Sequence, residues 1–358
     1  MHHPSSAVSL SLVAALVSLG ACTDELPWPP RAPCVAAPGP PVRTVTFPPR
    51  DFACRPGVEP PCELALPLRA MEQRTVDVSE ELSGSTFVYV VSALALPEPT
   101  RRPGEPRRSI GADLDGMDSG EGSMAATATC EEFGVDLVSS LEPGVVGIDN
   151  AFSSLVPSAE SGLRAAECPE SSTEGCLDAL LARDIREGRL LLLIEVGGVD
   201  SFEHDPEVEV AMYAARLADG DGPALVGETL APGQRFATAA TLATPAAGSI
   251  LHGRLFTGWP TLDLPRERFG YPDRLERVQL RAAICAEGLF HASLAAVTPV
   301  DALVEQAAPT FASSLSEERL RRVFETVADV SPSAGDSTLC ERVSLAYRVE
   351  AVAAERTE

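Results

Sequence analysis

The pattern that most constrains the fold is an alternation of apolar and polar side chains in residues 343–351. One face of this segment carries Val343, Leu345, Tyr347, Val349 and Ala351, and the other carries Ser344, Arg348 and Glu350. Successive side chains of a β-strand point to opposite faces, so a period of two predicts a half-buried strand. A strand needs neighbours to complete its hydrogen bonds, and the segment therefore predicts a sheet.

Other segments of the chain predict further strands of that sheet. They are β-branched, continuously apolar or alternating, and they cover residues 87–91, 190–196, 207–212, 277–284 and 289–297. Glu287-Gly288 separates the last two segments and predicts a hairpin. Helices are predicted at 177–187, at 298–308 and after a capping box at 314–317. The predicted fold class is mainly β, an antiparallel β-sandwich with a few connecting helices.

The amino terminus predicts export. Residues 7–19 are apolar, and no charged side chain precedes Asp24. A helix of that length rises about 20 Å, which is short of the roughly 30 Å hydrocarbon core, so the segment is typical of a signal peptide. It ends in Leu19-Gly20-Ala21-Cys22, which resembles the lipobox of bacterial lipoproteins.

The lipobox resemblance implies that residues 1–21 are a signal peptide and that Cys22 carries the lipid. Thr23 stands where an aspartate would favour the inner membrane, so the resemblance implies an outer-membrane protein, lipid-anchored and facing the periplasm or the cell surface. Residues 1–6 contain no lysine or arginine, which departs from the usual pattern. A plain signal peptide followed by a chance cysteine is the alternative interpretation.

The mature chain divides into a spacer and a body. Residues 22–49 contain nine prolines, a composition that favours an extended, semi-rigid spacer. Residues 50–358 are the predicted β-rich body. A polar stretch at 98–122 is predicted to be a long loop and is the candidate seam within that body.

The remaining cysteines predict disulfide bonds, because an exported protein folds in an oxidising compartment. They are Cys34, Cys54, Cys62, Cys130, Cys168, Cys176, Cys285 and Cys340. Their connectivity is open. Short spacing favours Cys54 with Cys62 and Cys168 with Cys176, leaving Cys285 and Cys340 as a candidate long-range pair. Zinc thiolates are disfavoured because the chain has no C-x-x-C motif.

Composition excludes several functions. The chain has 28 basic residues, all arginine, against 52 acidic ones, which gives a net charge of −24. Absent lysine excludes Schiff-base chemistry, pyridoxal phosphate attachment and a P-loop. The acidic balance argues against nucleic-acid binding. The chain also lacks the G-x-S-x-G, H-E-x-x-H and G-x-G-x-x-G motifs.

Candidate metal ligands lie in short acidic clusters. The loop 112–121 differs from an EF-hand at several positions, but its carboxylates and glycines suit Ca²⁺, a hard cation that prefers oxygen ligands. The predicted calcium ligands are Asp113, Asp115, Asp118, Asp149, Asp200 and Asp205. Solvated Asp/Gly turns are the alternative interpretation. Asn150, beside Asp149, is a candidate helix cap.

A further resemblance rests on the order of four motifs. They are the acidic loop at 112–121, the turn at Asp149-Asn150, an apolar strand ending in Gly-Val-Asp and a final strand preceded by Cys340. This order resembles a group of exported lipoproteins. The resemblance is to uncharacterised lipoproteins of GC-rich bacteria of the myxobacterial type, and it covers residues 85–352. It implies no activity.

Two functional hypotheses remain. The first is a lipid-anchored envelope protein with a binding or structural role toward a protein or glycan. The second is a secreted, metal-dependent hydrolase of glycan or peptide. The hydrolase hypothesis requires one cleft in which five side chains meet: Asp113, Asp115, Asp149, Asp200 and His204.

Overall fold

The computed structural model describes residues 82–100, 106–115, 136–141, 145–162, 175–218, 222–265, 272–311, 315–331 and 340–357. The predicted signal peptide, Cys22 and the proline-rich spacer lie outside these residues. So do one predicted calcium ligand and five predicted disulfide cysteines: Asp118, Cys34, Cys54, Cys62, Cys130 and Cys168.

The described residues are mainly strands, joined by short helices. The strands are β1 (Ser85–Ala95), β2 (Arg108–Ser109), β3 (Val138–Ser139), β4 (Leu192–Val199), β5 (His204–Leu217), β6 (Leu225–Val226), β7 (Thr229–Leu230), β8 (Gln234–Leu251), β9 (Arg254–Asp263), β10 (Arg274–Cys285), β11 (Gly288–Pro299) and β12 (Arg342–Thr357). The helices are a 3-10 helix (Ala151–Ser154), α1 (Val156–Gly162), α2 (Cys176–Arg186), α3 (Val300–Phe311) and α4 (Glu317–Glu325).

Eight strands form one closed barrel in the order β1-β12-β11-β10-β9-β8-β5-β4. Neighbours around the barrel are antiparallel, and β1 closes it by pairing with both β12 and β4. The end of β12 also pairs with the start of β8 in parallel, at Ala354–Thr357 and Gln234–Ala237. The prediction of a mainly antiparallel β fold is confirmed. The sandwich-like arrangement is wrong, because the sheet closes on itself.

The strands β8 and β9 carry no clear sequence pattern and were not predicted. β8 consists largely of alanine and threonine, and β9 contains Gly258 and Pro260. Within the described residues, 238–247 of β8 pair only with β5. Proline is tolerated at such a one-sided position because it has no N–H to donate to a second neighbour, which accounts for Pro245.

Apolar clusters pack against both faces of the sheet formed by β11 and β12. Alternate residues of β12, from Val343 to Ala351, belong to the large core that contains the barrel interior. The opposite face is also buried, because Ala346 packs in a second cluster with Ile110, Ala112, Leu114, Ala295, Val297 and Val330. The polar stretch that begins at residue 98 therefore contributes apolar side chains that cover the outside of the barrel.

The predicted helices are present with shifted starts. α2 and α3 match the expected segments, and α3 follows β11 directly. The N-cap of α4 is Ser316, whose hydroxyl accepts from the Arg319 N–H at 3.4 Å, two residues beyond the predicted cap. Among the described residues, no helix is long and apolar enough to cross a membrane.

Strand register excludes the candidate pair Cys285–Cys340. Cys285 lies opposite Gly288, and Gly288 lies opposite Val352 of β12. Cys340 instead precedes Arg342, which lies opposite Pro299 at the other end of β11. Ten residues of β12 (352 − 342 = 10) separate the two levels, about 33 Å. A disulfide requires Cα atoms within roughly 7 Å.

Candidate metal centre

Three of the predicted calcium ligands meet on the outer face of the barrel. Asp113, Asp115 and Asp149 each offer a carboxylate oxygen, and the three oxygens lie within 4.8 Å of one another. Asp113 and Asp149 are buried and Asp115 is half-buried. We call these three residues the aspartate cluster.

Backbone pairing brings the two segments of the cluster together. The Asp149 N–H donates to the Ala112 carbonyl at 3.0 Å. In return, Oδ2 of Asp149 accepts from the N–H groups of Leu114 at 2.6 Å and Asp115 at 3.3 Å. Gly111 permits this approach, since a Cβ there would lie 2.8 Å from the Asp149 carbonyl oxygen. The acidic loop therefore wraps around the Asp149 carboxylate.

Asn150 fixes this pair of segments to the barrel wall. Its amide nitrogen donates to Ser109 Oγ at 2.9 Å and to the Ile110 carbonyl at 3.1 Å. Its Oδ1 accepts from the Ala346 N–H of β12 at 3.2 Å. Asn150 also precedes the 3-10 helix, but its side chain makes no cap hydrogen bond. The predicted cap is therefore a link between the loop and the sheet.

Asp329 occupies the same edge of β12. Its Oδ1 accepts from the Ser344 N–H at 2.8 Å, and its Oδ2 accepts from the Ser344 hydroxyl. The pairing between β1 and β12 begins only at Arg348. The preceding N–H groups on this edge of β12 need other acceptors, and the side chains of Asp329 and Asn150 supply two of them.

The aspartate cluster and its neighbours crowd several carboxyl groups together. Burial raises the pKa of Asp149 well above its ordinary value, and the nearby carboxylates of Asp115, Asp329 and Asp136 raise it further. Burial also raises the pKa of Asp329 to about 7, with a contribution from Asp115 and an opposing one from its bonds to Ser344. Crowded carboxylates that resist ionisation are stabilised by a bound cation.

The donor set fits a hard divalent cation. Oxygens bound to one Ca²⁺ at 2.3–2.6 Å lie at most about 4.6–5.2 Å apart, and the three cluster oxygens, all within 4.8 Å of one another, are close enough to share one ion. All three donors are carboxylates, which favour Ca²⁺ over softer metals. Three side chains supply only part of the six to eight ligands that Ca²⁺ takes, so other oxygens must complete the sphere.

The other predicted ligands have different roles. Asp205 Oδ2 accepts from the Asp200 N–H at 2.6 Å, and Asp200 Oδ1 accepts from the Gly84 N–H at 2.7 Å. Both carboxylates therefore hold the turn between β4 and β5. Burial raises the pKa of Asp205, while its bonds to backbone N–H groups oppose that shift.

This turn lies apart from the aspartate cluster. Gln279 of β10 contacts the Asp113 carbonyl at 3.5 Å, whereas Ile284 of β10 donates to Gly253, which donates in turn to the carbonyl of Glu203. The two contact points are five residues apart along β10 (284 − 279 = 5), about 17 Å. The five residues of the hydrolase hypothesis therefore do not share one cleft, and Asp200 and Asp205 do not belong to the aspartate cluster. Their assignment as calcium ligands stays a prediction.

The sequence patterns did not predict three residues that the fold brings to the aspartate cluster and to the turn between β4 and β5. Asp136 and Asp329 act on the aspartate cluster, and His252 lies beside His204. Asp329 stands in an apolar context, between Ala328 and Val330, where an acid is unexpected. That context was the one available sign of a special role, since nothing in sequence spacing connects Asp329 with Asp113.

Comparison with known proteins adds no family to this geometry. No family model matches the chain, and no curated protein or solved structure is significantly similar to it. The fold and the site therefore define the class: a closed antiparallel barrel with a carboxylate cluster on its outer face.

Stability should depend on pH through the raised pKa of Asp329. A group with a raised folded-state pKa binds more protons in the native state, so its stabilising contribution is lost as the pH rises. For Asp329 the window runs from the ordinary value of 3.8 to about 7. In metal-free urea unfolding, the parent should lose up to about 1.4 kcal/mol per pH unit relative to Asp329→Asn across that window.

The matched control is Asp263→Asn, at an exposed position of β9. This variant should follow the parent at every pH. If Asp329→Asn also runs parallel to the parent between pH 4 and pH 7, the raised pKa of Asp329 is contradicted.

Proposed function

We propose that this protein is an exported lipoprotein, anchored through Cys22 in the outer membrane, whose barrel serves as a calcium-dependent binding or structural module of the envelope. The observation that carries the calcium part is the convergence of Asp113, Asp115 and Asp149 within 4.8 Å. The lipobox at 19–22 supports the anchor.

Calcium would act as a cross-link on the barrel surface. The cluster joins a loop at 112–115 to a second segment at 149, and Ala112 and Leu114 of that loop pack against the outer wall of the barrel. A cation between these carboxylates removes their mutual repulsion and holds both segments in place. The metal would therefore order this surface of the protein.

The same surface suits a polar partner. Asp115 is half-buried, so the cluster has one side near solvent. Ca²⁺ keeps coordination positions beyond those that three carboxylates fill, and water or a ligand oxygen can occupy them. Hydroxyls of a glycan and carbonyls of a peptide are the oxygen donors that match, which agrees with a protein or glycan partner in the envelope.

Anchoring follows from the number of acyl chains. A single chain binds a bilayer marginally, whereas the several chains of a lipidated Cys22 anchor stably. The spacer at 22–49 then separates the body from the lipid surface. The net charge of −24 lies entirely after residue 23, so the acidity belongs to the exported part of the chain.

Disulfides are part of the same proposal. Export supplies the oxidising compartment, and eight cysteines remain once Cys22 is lipidated. Peptide mapping without reduction should find these eight cysteines in disulfides and no peptide that joins Cys285 to Cys340. A Cys285–Cys340 peptide would contradict the strand register, and eight free thiols would contradict the framework.

Calcium should raise the melting temperature of the parent protein. A ligand that binds only the native state adds about 2.7 kcal/mol at a free concentration one hundred times its Kd. Asp149→Asn should lose most of this response, because it removes a central charge while keeping an oxygen acceptor for the Leu114 N–H. Without calcium, this variant should be at least as stable as the parent, since it removes a carboxyl whose pKa is raised by burial and by the neighbouring carboxylates.

Asp200→Asn is the matched control. Asp200 also accepts a backbone hydrogen bond, but it lies in the turn between β4 and β5. Its calcium response should equal that of the parent. An unchanged melting temperature of the parent at millimolar calcium, or an equal response in Asp149→Asn, would exclude the site.

The anchor is tested separately by fractionation of a Gram-negative host. Cys22→Ser should move the protein from the membrane fraction to the soluble fraction, because no acyl chain can be attached. Cys34→Ser changes the next cysteine in the same way and should remain with the membrane. Tight membrane association of Cys22→Ser would overturn the lipoprotein assignment.

A further inference from the structure

Two turns meet at one end of the barrel, away from the aspartate cluster. One joins β4 to β5 and carries Glu203, with His204 as the first residue of β5. The other is the two-residue turn His252-Gly253 between β8 and β9. The Gly253 N–H donates to the Glu203 carbonyl at 3.0 Å, and His204 lies opposite Leu251 in the β5–β8 register. Backbone contacts therefore fix the two turns side by side.

Three side chains with metal-binding donors converge on these turns. Glu203, His204 and His252 each offer one ligand atom, and the three atoms lie within 4.8 Å of one another. Nε2 of His204 lies 3.7 Å from Oε1 of Glu203. The two imidazole rings are 4.5 Å apart at 79°. His204 is buried, while Glu203 and His252 are exposed and free to adjust.

The backbone at His252 explains how this side chain is placed. His252 has φ +52° and Gly253 has φ +72°, the left-handed combination at both central positions of a tight hairpin turn. Such turns prefer Asn-Gly or Asp-Gly, and histidine is also among the residues that adopt this conformation more often than most. The turn therefore holds the His252 imidazole beside His204.

We propose that Glu203, His204 and His252 form a binding site for a divalent transition-metal ion, of which Zn²⁺ is the representative. Two imidazoles and one carboxylate suit Zn²⁺, with bonds of about 2.0–2.2 Å, and suit Ca²⁺ poorly. Ligand atoms on one tetrahedral ion lie about 3.3–3.6 Å apart, so small rotations of the two exposed side chains complete the site. Three protein ligands leave a fourth position for water or a partner group.

Binding would change the proton on His204. Its Nδ1 accepts from the backbone N–H of His252 at 3.3 Å, which places the proton of the neutral ring on Nε2. Coordination through Nε2 requires that proton to leave to water and Nδ1 to take one up, so the ring stays neutral. Nδ1 then carries a proton and no longer accepts from the His252 N–H, so the exposed His252 turn must shift until that N–H reaches water.

The test uses the full-length protein in detergent, without reductant, loaded with Zn²⁺ for calorimetry and Co²⁺ for absorption spectra. His252→Asn introduces the residue that the turn prefers. It should weaken Zn²⁺ binding at least tenfold and leave the melting temperature equal or higher. Glu203→Gln should also weaken binding. The Co²⁺ spectrum should show visible d–d bands without the intense near-ultraviolet bands of thiolate ligands.

His291→Asn is the matched control, since His291 is also exposed and has φ +48° but lies outside the cluster. It should bind Zn²⁺ like the parent. The proposal is overturned if His252→Asn binds as tightly as the parent, if His291→Asn loses binding equally, or if Co²⁺ shows thiolate ligation. Because these variants change exposed residues or keep a similar shape, the test does not depend on replacing buried His204.

Discussion

β12 pairs with three other strands, and the barrel depends on those pairings. It pairs with β11 along most of its length, with β1 over its second half and with β8 at its end. Its first half lacks β1 on one side, so backbone N–H groups of that edge would be buried without partners. Asp329 and Asn150 accept from Ser344 and Ala346 and replace the missing strand. An unsatisfied buried N–H would cost about 1–3 kcal/mol, which makes these two side chains structurally necessary.

This solution places ionisable groups where they are hard to ionise. Burial together with the carboxylates of Asp115, Asp329 and Asp136 raises the pKa of Asp149, and desolvation together with the Asp115 carboxylate raises the pKa of half-buried Asp329. Protonation relieves such repulsion at low pH, and a cation relieves it at neutral pH. The requirement to complete one strand edge thus produces a surface with the chemistry of a calcium site. The histidine site at the far turns has a different origin, because there two hairpins are held together by backbone bonds and the side chains project from them.

The sequence predicted all three residues of the aspartate cluster as metal ligands, but it did not predict which acids lie together. Asp113, Asp115 and Asp149 stand out because acids and glycines cluster at the ends of apolar segments. Asp200 and Asp205 show the same local pattern, yet they hold a turn about 17 Å away along β10. His252 and Asp329 have no such pattern, and only the pairing of β8 with β5 and the packing after α4 bring them into place.

The sequence by itself determined the alternating strands β10 and β12, the apolar strand β11 and the hairpin at Glu287-Gly288, because each depends on neighbours within a few residues. Local periodicity specifies which face of a strand is apolar, but it does not specify the next strand in the sheet. Tertiary structure decided the closure of the barrel, the recruitment of alanine-rich β8, the separation of Cys285 from Cys340 and the division of the acids into two places. Those outcomes depend on hydrogen bonds between residues as far apart as Tyr89 and Cys285, 196 positions along the chain, and no local pattern records them.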